Sequence, residues 1–214
     1  MTDAETETRL RRYVDELYRW NRRVNLTAIP REQAESRHIG DARRLLAQAD
    51  PAPGARVVDI GAGGGVPGLV MAILRPDLQV TLVEADQRKA GFLLHAAAIC
   101  ACAQVAVASR RAEEVGRDPG HRGAYDLAVS RATASAPVLC ELALPLLRVG
   151  GRLVALVADA QSDVRAAAVA AFACGGGTPA AIAPGIFSVT KVEPTPERFP
   201  RRVGLSARRP LGGA

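Results

Sequence analysis

The sequence predicts an α/β protein, a mostly parallel sheet with helices on both faces and a helical cap at the N-terminus. Three observations carry this. From Arg56 onward, apolar runs of strand length alternate with helix-length segments, the pattern of strands joined by helical crossovers. The run Arg56-Val-Val-Asp-Ile60 breaks directly into glycines at 61, 63, 64, 65 and 68, as a buried strand does when it enters a tight loop. A second run, Gln79-Val-Thr-Leu-Val83, closes on the carboxylate of Glu84.

Before the first strand, Leu10, Tyr13, Val14, Leu17 and Tyr18 recur at helical spacing between charges, which predicts a helix over 5–23. Asn25-Leu-Thr-Ala-Ile29 reads as a short extended or turn segment. A second helix is expected over 31–48, with His38 and Asp41 on adjacent turns of one face. Pro51, Pro53 and Gly54 then punctuate the chain. Residues 1–50 read as a cap on the unit formed by 51–214, the whole being one compact body.

Within that unit the expected order is strand 56–60, helix 67–74, strand 79–84, helix 86–101, strand 104–108 and strand 125–130. A helix near 136–147, strand 152–157 and a helix near 160–174 follow, the last ending at Gly175-Gly-Gly177. Segments 181–192 and 202–208 are expected to pair as a final antiparallel hairpin with a long connection.

The chain has 214 residues, 48% of them apolar, enough for one well-buried core. No apolar run reaches membrane-spanning length, and the first residues are charged rather than leader-like, so a soluble cytoplasmic protein is expected. Cys100, Cys102, Cys140 and Cys174 lie among apolar residues without metal-site spacing. They are expected reduced and buried, with no metal. The formal charge is +6, and five arginines (198, 201, 202, 208 and 209) follow Glu197 with no further acid. Such clustering is the electrostatic footprint of a nucleic-acid partner, although arginine outnumbers lysine 26 to 2 throughout the chain.

Glycines at 63, 65 and 68 fit the dinucleotide pattern G-x-G-x-x-G, which alone is weak. Asp59, two residues before Gly61, extends the pattern to D-x-G-x-G-x-G. In that form it resembles the first motif of class I S-adenosylmethionine methyltransferases. Glu84 stands where a carboxylate accepts hydrogen bonds from ribose hydroxyls.

Several motifs in order extend the resemblance over roughly Tyr13 to Leu211. They are Trp20-Asn21 with Asn25-Leu-Thr-Ala-Ile29, His38-Ile-Gly-Asp41, the glycine loop, Lys89-Ala-Gly-Phe-Leu93, Arg111-Ala-Glu-Glu114, Ser130-Arg-Ala132 and Phe199-Pro-Arg201. Together they resemble the glucose-inhibited division protein B family, bacterial 16S ribosomal RNA guanine-N7 methyltransferases. The resemblance implies a Rossmann-like, mostly parallel seven-stranded sheet. It implies S-adenosylmethionine contacts at Gly61, Val66, Ala112, Glu113 and Arg131, with Asp59, Gly63, Gly65 and Glu84 as general positions of the class. Arg131 is the candidate to orient the base or the cofactor carboxylate. Asn25, His38, Asp41, Arg198, Arg201, Arg202 and Arg208 are the candidates for RNA.

The match breaks on the substrate side. Where the family has Ala-Leu-Lys after the fifth strand, this chain has Ala155-Leu-Val157, and Ala42-Arg43 replaces the usual Ser-Leu. The open question is whether another arginine, such as Arg152 or Arg165, replaces the lysine in space. Three other readings remain. One is a divergent paralogue that N-methylates a small heteroaromatic compound or another RNA base. The second is a non-catalytic RNA-binding module on the same fold. The third is an NAD enzyme, which binding of NAD rather than S-adenosylmethionine would reveal.

Overall fold

Runs rich in aliphatic residues make the strands, and period-two alternation assigns their side chains to opposite faces. The computed structural model of the chain describes residues 2–131 and 133–212. Among these, seven strands form one sheet: β1 Arg56–Ile60, β2 Gln79–Val83, β3 Val105–Ala108, β4 Tyr125–Arg131, β5 Leu147–Leu156, β6 Ala180–Ala183 and β7 Ile186–Thr190. Their spatial order is β3-β2-β1-β4-β5-β7-β6. The first five run parallel, β7 lies antiparallel to β5, and β6 lies antiparallel to β7.

The two faces carry separate cores. Val57, Leu127, Val129, Val154 and Leu156 point to a core shared with α1 Asp3–Asn21, α2 Gly40–Ala49, α3 Gly68–Leu74 and α4 Gln87–Ile99. Their neighbours Val58, Ala128, Leu153 and Ala155 point to the other core. There they meet α5 Ala112–Val115, α6 Ala136–Ala143 and α7 Ala160–Ala173. Expected helices on both faces are therefore present.

Helix α1 starts with a reciprocal cap. Thr2 Oγ1 accepts from Glu5 N at 3.3 Å, and Glu5 Oε2 accepts from Thr2 N at 2.8 Å. It buries Leu10, Tyr13 and Leu17 in the same core as the sheet. No helix of the described residues is long and apolar enough to cross a membrane. All four cysteines are free and buried.

Three boundaries differ from the sequence reading. The helix expected over 31–48 is a 3-10 turn at Arg31–Gln33, a π-helical turn at Glu35–Ile39 and then α2. Helix α6 ends at Ala143, and β5 starts at Leu147, paired with Tyr125 before a register shift. The expected pairing of 181–192 with 202–208 is corrected. The hairpin forms between β6 and β7, while Leu205–Arg208 is a helical turn, α8. The outer segment β6 already occupies the free side of β7. Gly204, at φ +74°, turns the chain into α8 instead.

The tail is fastened to the body by charge. Arg201 places its Nη2 2.6 Å from Glu141 Oε2, and its backbone N donates to Glu141 Oε1 at 2.9 Å. Glu141 is completely buried. Arg122 donates to the carbonyls of Phe199 and Thr195, both at 2.8 Å. Lys191, buried and with no carboxylate partner among the described residues, donates to Leu144 O at 2.8 Å and Cys174 O at 2.9 Å, and also to Thr195 Oγ1.

Candidate cofactor and substrate site

Strand β1 has β2 on one side and β4 on the other, so the chain changes its direction of growth there. The crevice outside the carboxyl ends of such strands is the ligand position of open α/β sheets. A cavity of about 750 Å³ lies there, lined by Gly61, Gly63, Val66 and Arg131 among others. That volume lies within the usual range for small-ligand sites, about 300–1,000 Å³.

The loop after β1 is shaped by two glycines. Gly61 sits at φ +69°, and a Cβ there would collide with the side chain of Thr133. Gly68 opens α3 with its N–H donating to Asp59 Oδ2 at 2.8 Å, and a Cβ would fall 2.6 Å from Asp59 Cβ. Asp59 is fully buried and its Oδ1 has no hydrogen-bond partner among the described residues. Burial pushes its pKa up to about 7, against the pull of the Gly68 amide. From the cap, Tyr13 Oη donates to Gly64 O at 2.6 Å and fixes the loop from outside.

Glu84 follows β2 and reaches back to the loop. Its Oε2 accepts from Gly63 N at 2.9 Å and its Oε1 from Asp86 N at 2.8 Å. Each oxygen keeps a further lone pair for a hydroxyl donor. Gly61, Gly63 and Gly64 bring glycine backbone to the cavity, whereas Gly65, which faces Leu69 and Leu93, and Asp59 and Glu84 lie outside its lining. Glu84, bonded to Gly63 N, and the orphaned Asp59 Oδ1 fit a cofactor carrying a ribose and positive charge.

Arg131, the last residue of β4, reaches the cavity under three restraints. Its Nη1 donates to Arg37 O at 2.6 Å and to Asp41 Oδ2 at 3.4 Å. Its Nη2 donates to His38 Nδ1 at 3.0 Å. Arginine has no acceptor, so His38 is neutral with its proton on Nε2, which faces Thr27 Oγ1 at 3.3 Å and Tyr18 Oη at 3.4 Å. Burial first, then the nearby Arg131 charge, hold the His38 pKa down at about 4. His38 is 1% exposed. His38 and Asp41, expected on adjacent turns of one helical face, both hold Arg131.

The other candidates divide. Ala112 and Glu113 lie on α5, outside the cavity lining, and Glu113 Oε1 accepts from Gly204 N of the tail at 2.8 Å. Arg201, expected among the RNA contacts, is instead committed to Glu141. Arg198, Arg202 and Arg208 are exposed. Asn25 is exposed and outside the lining, while its neighbours Leu26, Thr27, Ala28 and Ile29 form the cavity lip.

Asn21 sets that lip and sequence reading passed over its role. Its Oδ1 accepts from Leu26 N at 2.7 Å and Thr27 N at 3.0 Å, and its Nδ2 donates to Thr27 O at 2.9 Å. The signal was an asparagine closing a helix just before a short polar turn. Thr133, whose Oγ1 donates to Ile60 O at 3.0 Å, carried no signal at all.

Comparison with known proteins places this arrangement. The family described as rRNA small subunit methyltransferase G (GidB) matches residues 6–182. The Ribosomal RNA small subunit methyltransferase G of Roseiflexus castenholzii is 42% identical over 210 residues, covering 94% of this chain and 89% of that protein. Its counterpart in Chloroflexus aggregans is 44% identical, covering 94% of this chain and 88% of that protein. Among solved structures, TrmN from Thermus thermophilus superposes with a TM-score of 0.54 at 21% identity, covering 71% of this chain and 48% of that one. The T. thermophilus 16S rRNA N2 G1207 methyltransferase, solved with AdoMet and guanosine, gives 0.51 at 19% identity, covering 73% of this chain and 40% of that one. The two structures share the fold alone. The sequence match spans most of the chain and nearly the full length of both relatives, so the chain belongs to the rRNA small subunit methyltransferase G family.

Proposed function

We propose that this chain is an S-adenosylmethionine-dependent methyltransferase acting on N7 of a guanine in 16S ribosomal RNA of the small subunit. The observation that carries the reading is Arg131, fixed between the cap and β4 at the edge of a cavity floored by the glycine loop. Family membership supplies the reaction class.

When bound, S-adenosylmethionine supplies an electrophilic methyl group on a sulfonium. Guanine N7 presents an in-plane lone pair and loses no proton in the attack. The chain must therefore position the base and exclude water, and it needs no general base. Gly61, Gly63 and Gly65 would let the loop backbone come close to the cofactor, Glu84 would accept from ribose hydroxyls, and buried Asp59, in its carboxylate form, would answer the cofactor's positive charge. Val66 adds apolar lining. Ala112 and Glu113 would also hold the cofactor on this reading, from outside the cavity lining. Arg131 orients the base or the cofactor carboxylate. Residues 1–50 act as a cap that completes the site over 51–214, and exposed Arg198, Arg202 and Arg208 contact the RNA backbone. The setting is the cytoplasm, where the small subunit is found.

Small subunits from cells lacking the family's own enzyme, incubated with the protein and radiolabelled S-adenosylmethionine, test this. Label at a guanine N7 of 16S RNA is expected. Cofactor binding without RNA label would overturn the assignment and point to a small heteroaromatic acceptor.

A further inference from the structure

The π-helical turn and α2 present Arg37, Asp41 and Arg44 to the same cavity. The spacing i, i+4, i+7 keeps them on one helical face. Asp41 is occupied by Arg131. Arg37 gives Arg131 its carbonyl, while its own side chain is exposed. Arg44 is exposed too, and among the described residues its Nη2 reaches only the Pro184 carbonyl at 3.4 Å. Pro184 precedes Gly185, whose carbonyl accepts from Val157 N at 2.9 Å. Arg44 therefore stands against the wall that Val157 lines.

The acidic groups on this cavity are Asp41 and Asp163. Burial, then the Asp159 charge, raise the Asp163 pKa. The other arginines weighed for this wall are elsewhere: Arg152 donates to Ala49 O, and Arg165 is exposed on α7, outside the lining.

We infer that Arg44, with Arg37 beside it, grips the phosphate backbone next to the target nucleotide and supplies the positive charge that Val157 does not. The inference rests on the RNA reading above and names the residues that position that substrate. A guanidinium with few protein partners at a cavity mouth is available to a phosphate, which it binds through paired N–H groups. Phosphate contacts position a nucleic acid without reading its sequence. Arg44 is thus a positioning residue for the RNA and leaves the cofactor untouched.

The test is steady-state methylation of small subunits by wild type, Arg44→Gln and the double variant Arg44→Gln/Val157→Lys. Arg44→Gln is expected to raise KM for subunits about tenfold and to lower the salt slope of RNA binding by about 1. KM for S-adenosylmethionine stays at the wild-type value, and the double variant recovers the subunit KM because a lysine at 157 restores charge on the same wall. A subunit KM within twofold of wild type, or a raised KM that Val157→Lys does not restore, would overturn the inference. Wild-type protein that leaves subunits unlabelled removes the RNA reading itself, and this inference with it, before any variant is compared.

Discussion

Arg131 Nη2 donates to the buried Nδ1 of His38 at 3.0 Å, across 93 positions of sequence. The bond ties the cap to the carboxyl end of β4 and needs a neutral imidazole. Replacing His38 by alanine leaves Arg131 with Asp41 and the Arg37 carbonyl only. A hydrogen bond to a charged group contributes about 1.5–3 kcal/mol, so kcat/KM should fall by roughly 10- to 100-fold if the bond acts fully on positioning.

The same residue gives a pH signature. His38 titrates near 4 in the folded chain against 6.5 unfolded. Only the unfolded chain takes up the proton between those values. Its contribution to stability is complete above about 6.5 and declines as pH falls towards 4. Urea midpoints measured from pH 7 to pH 4 should show less decline in His38→Gln than in wild type. Equal declines would remove His38 from the account.

Asp59 works in the opposite direction. Its pKa is raised from 3.8 to about 7, so it costs stability as pH rises through that window. A cationic ligand favours the carboxylate form. Cofactor affinity should therefore climb from pH 6 to pH 8, with protons released on binding, as calorimetry in buffers of different ionisation heat would read. Asp59→Asn should bind with a flat pH profile and no proton release.

Gly61 at φ +69° leaves no room for a side chain beneath Thr133. The left-handed conformation alone costs an alanine about 1–2 kcal/mol. Gly61→Ala is expected to lose cofactor binding, and Gly61→Ala/Thr133→Ser to regain part of it. Wild-type affinity in Gly61→Ala would show that the loop yields more easily than its contacts indicate.

Arginines of the tail should separate by what they touch. Arg201→Ala strands the carboxylate of buried Glu141, and breaking a buried pair typically costs about 3–5 kcal/mol. Its melting temperature should drop steeply. Arg202→Ala and Arg208→Ala remove exposed side chains and should melt near wild type while weakening RNA binding. A weakened, thermally unchanged Arg201→Ala would reverse that division.

Local chemistry made most of the sheet legible. Val57-Val58 and Val80 to Val83 are aliphatic runs bounded by glycine, proline and charge, and they became β1 and β2 as expected. The run 202–208 alternates too, yet alternation cannot tell that β6 has already taken the free side of β7. The glycine loop and Glu84 were readable because their spacing is local. Contacts made by folding were not: His38 with Arg131, Arg201 with Glu141, and Arg44 against the Pro184 carbonyl each join residues at least 60 positions apart.

The order β3-β2-β1-β4-β5-β7-β6 also governs how the chain acquires its shape. Strand β1 is flanked by β2, which follows it closely, and by β4, whose Leu127 pairs with Val57 some 70 residues later. Until β4 is synthesised, an aliphatic central strand has one open edge, which can recruit another nascent chain. Loop closure over that span must precede any reward from the pairing, which slows folding. The centre of the sheet, where the site will form, is therefore open to such pairing until β4 arrives. Slowing translation before Tyr125 should lower soluble yield more than slowing it after Leu156.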